Sequence, residues 1–269
     1  MAGPIKSLND QNLRRAMDDN NVEFWTTYGD YPGGYFKNDR GVAWSIPNIN
    51  FVLYNCFLRC RLSEDNFQGE AENFMHLLKK HRLSASWWLN SYSKPDRIPE
   101  MLGQLGWQRY RRSPAMAVEV ESITESPDIP GLDFEIAENE RKRKLWAEIL
   151  NSSVGLNQKQ VFEAVKVELK LKGPKYNSQY RYLGYLFDEP VATGLLNLSS
   201  GLAGIYCIAT IPRARKMGIG TAITLKAIEH SRELGYKVAV LTSSEMGYNV
   251  YKRIGFEDIF AYSNYLWHP

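Results

Sequence analysis

The order of patterned segments repeats once along the chain, and this repetition limits the fold more than any single residue does. In the second half, Ala203–Thr210 reads as a strand, Met217–Leu234 as a helix and Lys237–Leu241 as a short strand. Glu245–Ile254 reads as a second helix, and a last strand begins at Phe256. Ile219, Ile223, Ala227 and Leu234 fall on one helical face, and Gly235 ends that run. The first half follows the same order. Phe51–Leu62 is a strand, Gly69–Arg82 a helix, Ser84–Leu89 a strand, Ile98–Leu105 a helix and Trp107–Val120 a strand. The junctions match as well, Leu105-Gly106-Trp107 against Ile254-Gly255-Phe256. Two copies are too few for a solenoid, so the expected fold is a duplicated α+β domain.

The boundary falls in Glu121–Gly131, a polar run holding Pro127 and Pro130, which gives expected domains of 1–127 and 128–269. The first carries 15 basic and 15 acidic groups and the second 18 and 15, so the whole net charge of +3 lies in the second. That mild excess argues against a dedicated nucleic-acid binder and directs any anionic ligand to the second domain. A composition of 44% hydrophobic and 23% charged residues excludes a disordered chain.

Three cysteines cannot build a disulfide framework, and no CxxC pair marks a zinc site, so no metal is expected. Val52, Tyr54, Cys56, Leu58, Cys60 and Leu62 alternate as an apolar strand face and place both thiols in a core. The start, Met-Ala-Gly-Pro-Ile-Lys, lacks the apolar stretch of a signal peptide, and no run approaches a membrane span. The expectation is a cytoplasmic protein without membrane contact.

The chemistry concentrates in Ile208-Ala-Thr-Ile-Pro-Arg-Ala-Arg-Lys-Met-Gly-Ile-Gly-Thr221. A strand ends near Thr210, Pro212 blocks its continuation, and a basic loop with Arg213, Arg215 and Lys216 runs into Gly218-Ile-Gly220, where a helix starts. Glycines let the backbone approach a ligand, and the first helical N–H groups lack intrahelical partners. With the helix dipole behind them they suit a pyrophosphate. A dinucleotide fingerprint fails, because Ile223 stands at the third glycine, and no GxxxxGK[ST] loop occurs.

Arg215-x-x-Gly218-x-Gly220 between a strand and a helix resembles the acyl-CoA pyrophosphate loop of the GCN5-related N-acetyltransferases (GNATs). Leu241-Thr-Ser-Ser-Glu-Met-Gly-Tyr-Asn-Val-Tyr-Lys-Arg-Ile-Gly-Phe256 resembles their C-terminal signature, with a tyrosine four residues before Gly-Phe. The chain is similar to tandem members in which only one half keeps the cofactor site. The resemblance implies two acyl-CoA N-acyltransferase-like domains, each a mixed and mostly antiparallel sheet flanked by helices. In the first half Ser63-Glu-Asp-Asn66 stands where the basic loop belongs and Leu102 where the tyrosine belongs, so a degenerate domain without a cofactor loop is expected there.

The same resemblance implies acetyl-CoA, or another acyl-CoA, as cosubstrate and a primary amine of a small molecule as acceptor attacking the thioester directly. Backbone groups of Ile208, Ala209 and Thr210 would meet the pantetheine arm. Lys216, Met217, Gly218, Ile219, Gly220 and Thr221 would supply N–H groups to the pyrophosphate, with Arg215 either reaching a phosphate or bracing the loop. Tyr251 is the candidate general acid for the leaving thiolate, against a core role on its helix. Ser244 stands where many relatives place a cofactor-contacting asparagine, and helix capping is its other role. Ala239 replaces the glutamate that many relatives use as base. Cys207, Tyr206, Asn197 and Ser199 are expected near the pocket, and His230 as a structural group. The alternatives are a protein-amine acetyltransferase and a non-catalytic acyl-CoA sensor or interaction module.

Overall fold

A computed structural model describes residues 4–123 and 127–269. The run Glu121–Gly131 therefore lies partly outside the described residues, as does the Met-Ala-Gly start. Along the first half come α1 (Leu13–Gly29), β1 (Tyr35–Asn38), β2 (Val42–Ile46), β3 (Cys56–Cys60), α2 (Glu64–His81), β4 (Ala85–Leu89), α3 (Ile98–Gln104) and β5 (Gln108–Glu119). Then come β6 (Leu132–Ile136), α4 (Glu140–Ser153), α5 (Gln158–Lys170), α6 (Pro174–Asn177), β7 (Gln179–Leu186), β8 (Glu189–Ser199) and β9 (Leu202–Thr210). The chain closes with α7 (Ile219–Glu233), β10 (Val238–Thr242), α8 (Glu245–Ile254) and β11 (Glu257–Trp267).

Two compact units result, and their limits differ from the expected 1–127 and 128–269. One comprises Met1–Asn21 with Pro114–Phe260, the other Val22–Ser113 with Ala261–Pro269. The reason lies in the pairing of the closing strands. Residues 115–119 of β5 run antiparallel to β10, with Val238 opposite Glu119. Residues 263–267 of β11 run antiparallel to β4, with Ser263 opposite Leu89. Each half of the sequence thus completes its sheet with a strand from the other half, an exchange that local patterning cannot reveal.

In the unit built on the second half, β6, β7, β8 and β9 are antiparallel neighbours, and β9 meets β10 in parallel. One face of this sheet, with Tyr182, Ala192, Leu196, Ala203 and Ile205, packs on Ile219, Ile223, Ala227 and Ile228 of α7. The other face carries a buried polar network. Arg181 on β7 pairs with Glu168 on α5 at 2.6 Å and lies over the Trp146 ring of α4. Gln179 donates to the Asn197 side chain, and Asn197 in turn reaches Asn20 of α1. Asn20 is the keystone. Its amide donates to the carbonyls of Asn197, Ser199 and Leu202, and its oxygen accepts from the Tyr206 hydroxyl at 2.8 Å. Gly204 leaves the room, since a Cβ there would collide with the Asn20 oxygen.

In the unit built on the first half, β1, β2 and β3 are antiparallel, and β3 meets β4 in parallel. Phe57 stacks on Trp87 at 3.7 Å, with Trp44, Phe67, Phe74 and Trp107 around them, so Trp44 and Trp87 are core residues. Trp88 points away from that cluster and meets Tyr262 instead. The expected strand Phe51–Leu62 shortens to β3, because Asn55 donates to the carbonyls of Ile49 and Ser84 and holds the preceding residues in a turn. All five residues of β3 are buried, Cys56 and Cys60 among them.

Candidate active site

The site forms where β9 and β10 part. Their parallel ladder is confined to Ala203 with Ala239 and Gly204 with Val240, so β9 from Ile205 to Thr210 has no described strand partner on that edge. On its other edge β9 stays paired with β8, but the register slips between Thr193 and Leu195. The extra residue of this bulge region includes Cys207, held in the left-handed region at φ 54° while its carbonyl accepts from the Thr193 hydroxyl at 2.9 Å. Ile208, Ala209 and Thr210 therefore end β9 beside an opening whose backbone groups a strand-like ligand can pair with.

The loop below is tightly fixed. Pro212–Ala214 forms one 3-10 turn, and Ala214 is buried under it. Arg215 braces the loop, its Nε donating to the Thr210 carbonyl at 3.1 Å and its Nη2 to the Ser153 carbonyl at 2.9 Å. Arg213 pairs with Glu189. Lys216 and Gly218 both take positive φ, 65° and 80°, which turns the chain sharply into α7. The first helical bond runs from Ala222 N to Gly218 O, and no side chain caps this helix. Between the turn and that bond, the N–H groups of Lys216, Met217, Gly218, Ile219, Gly220 and Thr221 have no backbone acceptor among the described residues. A Cβ built on Gly220 would find its nearest neighbour, Thr210 Oγ1, 4.0 Å away, so the space above the loop is open.

Tyr251 stands on α8, half-buried and packed against the core that α7 and the sheet share, its ring edge-on to Phe256 at 5.8 Å. Burial pushes its phenol up to about 12, so the hydroxyl stays protonated at neutral pH. Gly247 makes room for it, since a Cβ there would stand 2.7 Å from the tyrosine Cε2. Sequence reading missed this glycine, although a glycine four residues before a helical tyrosine is the signal to look for. Ser244 caps α8, accepting from Gly247 N at 3.2 Å, which is the capping role. Tyr248 is spent on Asp258 at 2.7 Å. Ala239 is fully buried in β10 and brings no base. Tyr206 and Asn197 are tied to Asn20, and His230 is held by the Tyr182 hydroxyl at 2.7 Å. Among the described residues no cluster of three or more His, Cys, Asp or Glu could hold a metal. No helix among them is long and apolar enough to cross a membrane.

The corresponding place in the first-half unit is closed. There β3 and β4 pair at Cys56 with Ser86 and Phe57 with Trp87, but the chain returns at Lys94 to bridge Arg61. Lys94 N donates to Cys60 O at 2.7 Å and Leu62 N to Lys94 O at 3.2 Å, so a segment of this chain occupies the gap. Ser63 leads directly into α2 as its cap, with Glu64 and Asp65 in the first turn, and Leu102 is buried.

Residues 157–256 match the family model described as acetyltransferase (GNAT) family. No curated protein sequence matches the chain at a significant level. Among solved structures, a GCN5-related N-acetyltransferase from Kribbella flavida superposes with a TM-score of 0.68 over 94% of this chain and 95% of its own, at 14% identity. One from Sphaerobacter thermophilus gives 0.58 over 94% and 91%, also at 14% identity. A tandem GNAT protein from the clavulanic acid biosynthesis pathway gives 0.55 over 99% and 97%, at 12% identity. At these identities the likeness is one of fold, and it extends over nearly the whole chain.

Proposed function

Residues 157–256 are a domain of the acetyltransferase (GNAT) family, and from that premise we propose that the protein transfers an acetyl group from acetyl-CoA to a primary amine of a small molecule. The observation that carries this reading is the opening between β9 and β10 above a loop whose six successive N–H groups, Lys216 to Thr221, have no backbone acceptor among the described residues. The loop N–H groups and the N-terminal end of α7 hold the pyrophosphate. The free edge at Ile208, Ala209 and Thr210 pairs with the pantetheine arm and presents an N–H to the thioester oxygen as it gains charge. Arg215 acts by fixing the loop, and Ser244 by capping α8.

In the transfer a bond forms between the amine nitrogen and the acyl carbon, and the carbon–sulfur bond breaks. Tyr251 gives its proton to the leaving thiolate, which its raised pKa allows at every physiological pH. The attacking amine loses its own proton to water or to a base from outside β10, where Ala239 offers no acceptor. The mild charge of +3 supports a small acceptor over an acidic protein tail. The first-half unit has no cofactor loop in this reading, which the bridge at Lys94 and the acidic start of α2 support.

A Tyr251→Phe variant tests the assignment by CoA release with an amine panel. The expected result is a kcat lower by about 10²-fold or more, with the acetyl-CoA KM unchanged. Undiminished turnover would remove the acid role.

A further inference from the structure

Thr193 on β8 has a fully buried side chain, and a valine of the same shape would fill its place without a hydroxyl to desolvate. The hydroxyl donates to the Cys207 carbonyl at 2.9 Å. Gly194, the next residue, serves the same bulge from the other face of the sheet. A Cβ there would meet Ile208 Cδ1 at 3.1 Å and Ile223 Cγ1 at 3.2 Å.

The register of the two strands fixes what that hydrogen bond changes. Leu195 stands opposite Tyr206 and Thr193 opposite Ala209, so β8 has one residue between them, Gly194, where β9 has Cys207 and Ile208. Ile211 N donates to Val191 O at 2.9 Å, so the alternation of the ladder makes the place opposite Gly194 an outward one. A single residue there would turn both its N–H and its C=O to the open edge. Cys207, at φ 54°, instead sends its carbonyl back to Thr193 on β8. The peptide that follows is trans, which sets C=O and N–H in opposite directions. Ile208 N–H therefore points away from β8, toward the edge that β10 leaves. A carbonyl at that edge would repel an acyl oxygen, and an N–H attracts it.

We propose that Thr193 is a positioning residue for acyl transfer, its hydroxyl holding the Cys207–Ile208 peptide in the orientation that offers Ile208 N–H to the thioester oxygen. This role rests on the acetyl-CoA reading of the site and extends it to a buried side chain on the neighbouring strand.

Thr193→Val removes the hydroxyl and keeps the shape, and Thr193→Ser keeps the hydroxyl. The full chain is read by kcat for CoA release with an amine panel and by the calorimetric Kd for acetyl-CoA. The infrared carbonyl stretch of bound acetyl-CoA, isotope-labelled at the acyl carbon, is the readout that a merely structural role would not move. That stretch should lie at lower frequency in the wild type than in Thr193→Val, because a hydrogen bond to the acyl oxygen weakens the C=O bond. In Thr193→Val kcat should fall about tenfold or more, with the acetyl-CoA Kd within about threefold of the wild type. Thr193→Ser should match the wild type in both kcat and stretch. Should Thr193→Val not fold, Thr193→Ala gives the same comparison. A stretch unchanged in the folded variant overturns the proposal, and so does Thr193→Ser behaving as Thr193→Val does. An acetyl-CoA affinity that falls together with kcat also overturns it, since that marks a merely structural bond. Folded wild-type protein that binds no acetyl-CoA overturns the acetyl-CoA reading itself, and this role with it.

Discussion

Tyr251 and Gly247 form one packed pair, because the ring occupies the space that a side chain at 247 would fill. Gly247→Ala should raise the helix propensity of α8 by up to about 1 kcal/mol while pushing the ring aside. The expected outcome in steady-state kinetics is a kcat several-fold lower with the acetyl-CoA KM unchanged, and an unaltered kcat would break the pairing. Burial lifts the Tyr251 phenol above the ordinary value of about 10 to about 12. The sign follows: the folded state holds this proton more tightly, so the contribution to stability is full below about pH 10 and is lost as pH rises through about 12. The pH profile of kcat should accordingly show no descending limb from this group between pH 7 and about 11, and a limb near 9 that vanishes in Tyr251→Phe would contradict it. Burial also raises the thiols of Cys56 and Cys60, the latter to about 12, whereas Cys207 is half-exposed. A thiol reagent should therefore find Cys207 quickly in the native chain and all 3 cysteines only after unfolding.

At the level of elements, Asn20 anchors the β8–β9 pair, tying α1 to both ends of the turn between them. Asn20→Ala leaves buried carbonyls and the Tyr206 hydroxyl without their partner, at a cost of about 3 kcal/mol or more. A urea unfolding curve reads this directly, and a change under about 0.5 kcal/mol would deny the anchor. Nothing near position 20 announces this role, because its partners lie 177 to 186 residues further on. The elements that were legible are those with local signals. Glu245–Ile254 has its bounds as read because Ser244 caps it and Gly255, at φ 111°, ends it. The basic glycine loop was legible for the same reason, its positive φ values falling at Lys216 and Gly218 between a strand and a helix. Phe51–Leu62 was read too long because alternation cannot distinguish a strand from an apolar turn, and β3 is buried on both faces. The loss of a cofactor gap in the first half was signalled only by its acidic loop. The bridge from Lys94 to Arg61 that fills it is a contact 33 residues apart in the numbering and leaves no local trace.

On the scale of the whole molecule, the exchange of closing strands sets what can be separated. A fragment 128–269 would lack Asn20 and residues 115–119, exposing the edge of β10 and the polar face around Tyr206 and Asn197. Open edges and orphaned buried groups lead to aggregation, so this fragment should be insoluble or lack cooperative unfolding. A soluble fragment with a sharp thermal transition would contradict the exchange. Calorimetric titration of the full chain with acetyl-CoA tests whether the Lys216–Thr221 loop is an acyl-CoA site. The expected result is saturable binding to the wild type and its loss in Gly220→Glu, where the open space allows the new side chain and its charge opposes the pyrophosphate. Folded wild-type protein that does not bind acetyl-CoA with Kd below about 1 mM, or binding that survives Gly220→Glu unchanged, would contradict it.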